Sequence, residues 1–351
     1  MAADTPARPK APGFDARRGT LMAVCAVALI ICIVLGLGLG RMMIAPSDVV
    51  SILSKHLLTG AGSSTDANVL TVMNIRLPRV VAALLVGSAL AISGAAYQGL
   101  FKNPMVSPDI LGASAGASFG AALGILLSFD NRMVQLSGFA VGFAAVMITY
   151  ASARRIGHGT NQTLLLVLCG LIVGTLFQAF VSMIKYTADP ESKLPEITYW
   201  LMGSIAKVTW DDLRVFIVPY LIGAVPLIAM RWRLNTLSFG DMEAESLGVN
   251  VRALRAVYIL CSTLLTAAVV AIAGVVGWVG LIIPHIARFI FGPDNRYVLP
   301  ASLIIGGSFM ILVDTACRTI MASEIPLGIL TSVIGAPFFF IILLKTQRGE
   351  R

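Results

Sequence analysis

The chain has 351 residues, of which 57% are hydrophobic and 13% are charged, and its mean hydropathy is +0.86. Soluble domains carry about 25% charged residues, so this composition excludes a soluble globular protein and indicates an integral membrane protein. The net charge of +8 does not predict nucleic-acid binding, because the basic residues lie in short loops and tails between apolar runs.

Apolar runs of spanning length follow one another along the chain. They predict transmembrane helices at about residues 20–44, 80–98, 112–128, 133–153, 163–184, 212–230, 256–276, 299–317 and 325–344. A shorter run broken by glycine and proline, at about 277–292, fits an eighth span in chain order. The predicted fold class is therefore an all-α polytopic membrane protein with ten transmembrane helices.

The distribution of Lys and Arg predicts the topology. Ten spans put both termini on one side, and a cytoplasmic placement of the termini puts 16 of the 26 Lys and Arg residues in the cytoplasm. Residues 1–19 and 346–351 are then cytoplasmic tails around a ten-helix domain at 20–345. Short helices are expected outside the membrane at Ser47–Leu58 and among the interfacial aromatic residues of 187–212.

Few polar residues lie inside the predicted spans. Asp314 and Arg318 are four residues apart near the outer end of the ninth span and could pair on one helix face. Gln178 and Ser182 also share a face, as interhelical hydrogen-bonding residues or as residues that line a path. No acidic residue lies at mid-membrane, so the proton relay of many secondary transporters is not predicted.

Motifs for chemistry are missing from the sequence. There is no GxxxxGK[ST] phosphate loop. GASAG at 112–116 and GASFG at 116–120 match the GxSxG pattern, but they lie in an apolar run of spanning length and no His or Asp partner is placed for nucleophilic work. His56, His158 and His285 are too scattered for a metal cluster, and the five cysteines have no CxxC spacing. The sequence therefore predicts neither a catalytic residue nor a metal site.

Several motifs occur in an order typical of one transporter family. They are RLPR at 76–79, QGLFKNPMVSPDILG at 98–112, WLMGS at 200–204, ESLGVNV at 245–251, GLIIPHIAR at 280–288 and EIPLGILTSVIGAPFF at 324–339. On these motifs, which span about 260 residues, the chain resembles the permease subunit of the FecCD family. Its members are type II ABC importers of ferric siderophores, haem and vitamin B12, so the expected fold is that of the vitamin B12 permease.

The resemblance implies a set of partners. A homodimer of permease subunits would enclose one central path in the bacterial cytoplasmic (inner) membrane, with both termini in the cytoplasm. Two ABC ATPase subunits would dock on the cytoplasmic side and bind ATP and Mg, so this chain would be neither an enzyme nor the holder of a cofactor. A substrate-binding protein would deliver the cargo from outside.

The resemblance also implies roles for particular residues. Arg76, Arg79 and Arg318 match positions that dock the binding protein, and guanidinium groups suit that role because they hold carboxylates in a bidentate way. A coupling helix at about 236–251 would contact the ATPase through Gly240, Glu243, Ala244, Leu247 and Gly248. Asn161 and Gln162, with Met105 and Val106, match the cytoplasmic gate.

The resemblance thus predicts inward transport of an iron chelate, either a ferric siderophore or haem, by alternating access driven by the partner ATPase. Cobalamin is an alternative cargo, because the family reads its ligand mainly in the binding protein. An ion-coupled secondary transporter and a membrane scaffold protein are alternatives of other classes. Co-purification with a P-loop ATPase would separate these classes.

Overall fold

The computed structural model describes residues 12–59, 66–157 and 162–349, and in these ranges the chain is helical with no β-strand. The α-helices are α1 (Pro12–Gly38), α2 (Pro46–Thr59), α3 (Ala67–Leu70), α4 (Leu77–Phe101), α5 (Ala113–Leu126), α6 (Asn131–Ile156), α7 (Gln162–Thr187), α8 (Lys193–Leu201), α9 (Trp210–Ala229), α10 (Arg233–Ser238), α11 (Asp241–Ser246), α12 (Val251–Ala273), α13 (Val279–Phe291), α14 (Asn295–Thr319) and α15 (Leu327–Gly349). A π-helical segment, Thr71–Arg76, joins α3 to α4, and a short 3₁₀ turn, Pro108–Leu111, precedes α5.

The apolar helices confirm the predicted fold class. In the described part of the chain, seven segments are long and apolar enough to cross a membrane, and they correspond to α1, α4, α6, α7, α9, α12 and α14. The three shorter apolar helices are α5, α13 and α15, and together the ten correspond to the ten predicted spans. The short helices expected at 47–58 and within 187–212 are α2 and α8.

The first and last helices extend beyond the predicted spans. Helix α1 begins at Pro12, so residues 12–19 are helical, and α15 continues to Gly349. Both helices extend through polar turns that an apolar pattern does not capture. Residues 1–11 lie outside the described residues.

Helix α4 lies at the centre of the bundle and packs against α9, α12, α13 and α14. Its glycines allow neighbouring helices to approach closely. A Cβ atom on Gly87 would collide with the carbonyl of Gly306 on α14, and one on Gly94 would collide with that of Gly280 on α13. The backbones of these helices therefore meet directly.

Buried hydroxyl groups join α4 to α12. The Ser93 hydroxyl lies 3.1 Å from that of Thr266, and the Tyr97 hydroxyl lies 3.0 Å from that of Thr263. All four residues are buried. In hydrocarbon such interhelical bonds contribute about 0.6 kcal/mol each on average, so they fix the register of α4 on α12.

Three non-helical segments meet where α8 and α12 end and α15 begins, and we call this meeting point the backbone joint. The amide of Ser204 donates to the carbonyl of Ala273 at 2.8 Å, and that of Leu327 donates to Gly203 at 2.9 Å. Gly203 and Gly274 have φ angles of +76° and +68°, a region that side-chain-bearing residues rarely adopt. The joint therefore depends on main-chain atoms.

Candidate functional site

The three arginines singled out by the sequence lie at one end of the bundle. Arg76 ends the π-helical segment, Arg79 lies in the first turn of α4, and Arg318 lies in the last turn of α14. Their exposed fractions are 5%, 8% and 7%. Buried guanidinium groups need partners, and each has them within the chain.

Two of these arginines hold the carboxyl end of α1. Arg76 Nη1 donates to the carbonyls of Leu37 and Gly38 at 2.7 and 2.8 Å, and its Nη2 donates to Met42. Arg318 Nη2 donates to the carbonyl of Gly36. The last carbonyls of a helix have no partner inside it, and cations are favourable there. Arg76 and Arg318 therefore cap α1.

Arg79 is held by two carboxylates. Its Nε donates to Asp314 Oδ1 at 2.9 Å, and its Nη1 donates to Glu324 Oε1 at 2.9 Å. Arg318 Nε lies 3.6 Å from Asp314 Oδ2, so the pair predicted from the four-residue spacing is present. We call Arg76, Arg79, Arg318, Asp314 and Glu324 the arginine cluster.

Glu324 is the member of the arginine cluster that the sequence analysis missed. It lies in the loop between α14 and α15, at the end of the bundle where α4 begins. An acidic residue six positions after Arg318, in the short loop before the last apolar run, was the available signal. Docking by Arg76, Arg79 and Arg318 stays a prediction, because in this structure all three guanidinium groups contact internal partners.

The predicted coupling region lies at the opposite end of α4. Gly99, about 30 Å along α4 from Arg79 at 1.5 Å per residue, contacts Leu234 of α10. The region predicted as one helix at 236–251 is instead divided between α10 and α11. The division falls at Gly240, whose φ of +132° cannot continue an α-helix. A Cβ atom there would also collide with the carboxylate of Glu243.

The segment around α11 exposes three large apolar side chains. Ala244 is buried against the bundle, whereas Phe239, Met242 and Leu247 are exposed at 71%, 81% and 67%. Gly248, with a φ of +78°, ends the turn after α11, and Arg255 Nη2 donates to both Asp241 oxygens at 3.1 Å. We call Phe239, Met242 and Leu247 the α11 patch. Apolar patches on a surface outside the spanning helices mark interaction sites.

The predicted gate is described only in part. Asn161 lies outside the described residues, and Gln162 begins the backbone of α7. Met105 is exposed in the segment between α4 and the 3₁₀ turn, whereas Val106 is buried in the core. Of the two residues from this segment, Met105 is therefore the one whose side chain could line an opening.

Helices α7 and α15 each expose a broad apolar face. Among the described helices, α7 packs on α5 and α6, and α15 packs on α13 and α14. The exposed large side chains are Leu164, Leu168, Leu171, Ile172, Leu176, Phe180, Met183 and Tyr186 on α7, and Ile329, Val333, Ile334, Phe340, Ile341 and Leu344 on α15. Gln178 and Ser182 are also exposed on α7, and the Ser182 hydroxyl donates to the Gln178 carbonyl at 3.0 Å.

Comparison with known proteins gives one family. A model of the FecCD transport family matches residues 28–345. The molybdate import system permease protein MolB of Haemophilus influenzae is 39% identical over 92% of this chain and 94% of its own length. The hemin transport system permease protein HmuU of Yersinia pestis is 38% identical over 80% of this chain and 84% of its own length.

A solved structure is similar over almost the whole chain. It is described as an inward-facing conformation of a metal-chelate type ABC transporter, with a TM-score of 0.82 and 37% sequence identity. The similarity covers 93% of this chain and 99% of the other. The helix arrangement described above is therefore that of a known class of permease.

Proposed function

The chain belongs to the FecCD transport family as the permease subunit of a type II ABC importer, and from this premise we propose that its cargo is an iron chelate, a ferric siderophore or haem. The observation that carries the proposal is the apolar surface of α7 and α15, in which residues 164–184 and 327–344 contain no charged side chain. A wide apolar path suits a bulky chelate, whose charge is enclosed by organic groups. Transport would proceed by alternating access between two copies of the chain.

The two ends of the bundle support separate partners. Two ABC ATPase subunits would bind the dimer, and we assign the α11 patch of each permease copy to one of them. Exposed apolar residues outside the spans are typical of permanent interfaces. ATP and Mg would bind to those subunits. The opposite end, which holds the arginine cluster, would receive the substrate-binding protein. This assignment places both termini in the cytoplasm, in agreement with the excess of Lys and Arg there.

Molybdate is a second candidate cargo. The relative named for molybdate import matches over 92% of this chain, a larger share than the relative named for hemin transport. An oxyanion is small and strongly hydrated, so it would leave most of the apolar surface of α7 and α15 without a role. That difference favours the chelate.

Uptake measurements would test the cargo. A strain that lacks the gene would be offered labelled haem, a ferric hydroxamate, a ferric catecholate, cobalamin and molybdate in parallel. Loss of haem or ferric siderophore uptake, restored by the gene, would support the proposal. Selective loss of molybdate or cobalamin uptake would overturn the iron chelate assignment and leave the importer assignment intact.

A further inference from the structure

The two carboxylates that hold Arg79 differ in their access to solvent. The Asp314 side chain is 1% exposed, whereas that of Glu324 is 32% exposed. Asp314 lies on α14 between the guanidinium groups of Arg79 and Arg318. If its carboxylate rotated away from them, a buried charge would be left unpaired. Glu324 lies at the surface of the cluster, where its carboxylate can exchange Arg79 for water.

The backbone around Glu324 is fixed independently of its side chain. The Ile325 amide donates to the Cys317 carbonyl at 3.1 Å, and the Leu327 amide donates to Gly203 at 2.9 Å. The Arg41 side chain also donates to the carbonyl of Ala322. Rotation of the Glu324 side chain therefore requires no movement of the loop.

The charge of the arginine cluster changes with the position of Glu324. Three guanidinium groups and two carboxylates leave one net positive charge when Glu324 is in place. When Glu324 rotates outward, Arg79 Nη1 is uncovered and the remaining groups carry two net positive charges. Arg76 and Arg318 stay bound to the carbonyls of α1 in both positions.

We propose that Glu324 is an exchangeable counter-ion. In the undocked permease its carboxylate covers Arg79, and a carboxylate of the substrate-binding protein takes its place on docking. This inference rests on the docking role proposed above for this end of the molecule. It reconciles that role with the burial of Arg79, since the guanidinium becomes available only when Glu324 leaves.

The exchange is balanced in charge and hydrogen bonding. An incoming carboxylate accepts the bond from Arg79 Nη1 that Glu324 gives up, while Asp314 keeps its bond to Nε. Arg79 is therefore never without a counter-ion, which avoids the cost of a buried unpaired cation. A neutral partner surface could not displace Glu324, so the exchange selects an acidic partner.

The test uses the complete transporter in nanodiscs and the substrate-binding protein that supports uptake through it in vesicles. The variant is Glu324→Gln, and the control is Glu191→Gln, which removes an exposed charge from the segment between α7 and α8. Removing the internal competitor should tighten binding about fivefold, in the range of interfacial charge effects. The control should bind like the wild type.

A chemical probe reports the same event without the binding protein. Phenylglyoxal modifies accessible guanidinium groups, and mass spectrometry locates the modified residue. Glu324→Gln should raise the modification rate of Arg79 and leave that of Arg76 unchanged. Unchanged or weaker binding, together with an unchanged Arg79 rate, would overturn the exchange. If no binding protein supports uptake by the wild type, the proposed function itself fails, a separate result.

Discussion

Arg79 Nε donates to both oxygens of Asp314, at 2.9 and 3.1 Å, and so joins the start of α4 to the end of α14. The two residues are 235 positions apart in the sequence. Because this pair joins the central helix α4 to α14, its contribution to the stability of the bundle can be measured.

Replacing Arg79 by alanine should destabilise the protein strongly. Asp314 would remain buried with Arg318 alone, and breaking a buried pair costs about 3–5 kcal/mol. The melting temperature in detergent should fall markedly. Arg214→Ala, which breaks a pair in which Arg214 is 78% exposed, should cause little change. Equal losses in the two variants would contradict the structural role of the buried pair.

A double variant separates charge from packing at the same site. Arg79→Gln with Asp314→Asn keeps two hydrogen-bonding groups and removes both charges. We expect its melting temperature to lie above that of Arg79→Ala, because no buried carboxylate is left short of a partner and Arg318, which loses the Asp314 charge, keeps its bond to the Gly36 carbonyl. A double variant less stable than the single one would show that the charges themselves are required.

Gly94→Ala should impair folding. The added methyl group would collide with the carbonyl of Gly280 and force α4 away from α13, and overpacking costs about 1–3 kcal/mol or more. Gly277→Ala is the matched control, because a Cβ atom at Gly277 meets nothing within 4 Å. The yield of monodisperse protein should fall in the first variant alone.

A charge introduced into the α11 patch should cause a selective loss of ATPase binding. Leu247→Glu should weaken co-purification of the ATPase subunit at least about tenfold, as expected for an interface hot spot. Met43→Glu places the same charge at an exposed methionine in the segment between α1 and α2, at the opposite end. ATPase retention like the wild type in Leu247→Glu would argue against the patch.

The hydroxyl pair Tyr97–Thr263 should show measurable coupling. A double-mutant cycle with Tyr97→Phe and Thr263→Val should give a coupling energy of about 0.6 kcal/mol, the average for interhelical bonds in a membrane. Unfolding in mixed micelles gives the four free energies. Additive effects would mean that the two hydroxyl groups stabilise the bundle independently.

Helix positions followed from the sequence because apolar runs of spanning length are strong local signals. The Asp314–Arg318 pair followed for the same reason, since four residues bring two side chains to one helix face. The breaks were harder to predict. Gly240 divides α10 from α11 through its backbone angle, and a glycine in a polar loop does not reveal that angle in advance.

The partners of the three arginines could not be predicted from local pattern. Arg79 meets Glu324 across 245 positions, and Arg76 meets Gly38 across 38. Such pairs depend on how α1, α4 and α14 pack, which periodicity alone does not specify. The RLPR motif therefore does not reveal the internal bonds that Arg76 and Arg79 make.

The backbone joint has a consequence for how this protein can change during evolution. Its bonds run between main-chain groups, so most substitutions in the segments leave them intact. Glycine is the exception, because a Cβ atom at Gly203, Gly274 or Gly328 would lie 2.7, 2.5 or 2.6 Å from a neighbouring carbonyl oxygen. Divergent descendants of this chain should therefore keep glycine at these three positions of the backbone joint, while the neighbouring residues change.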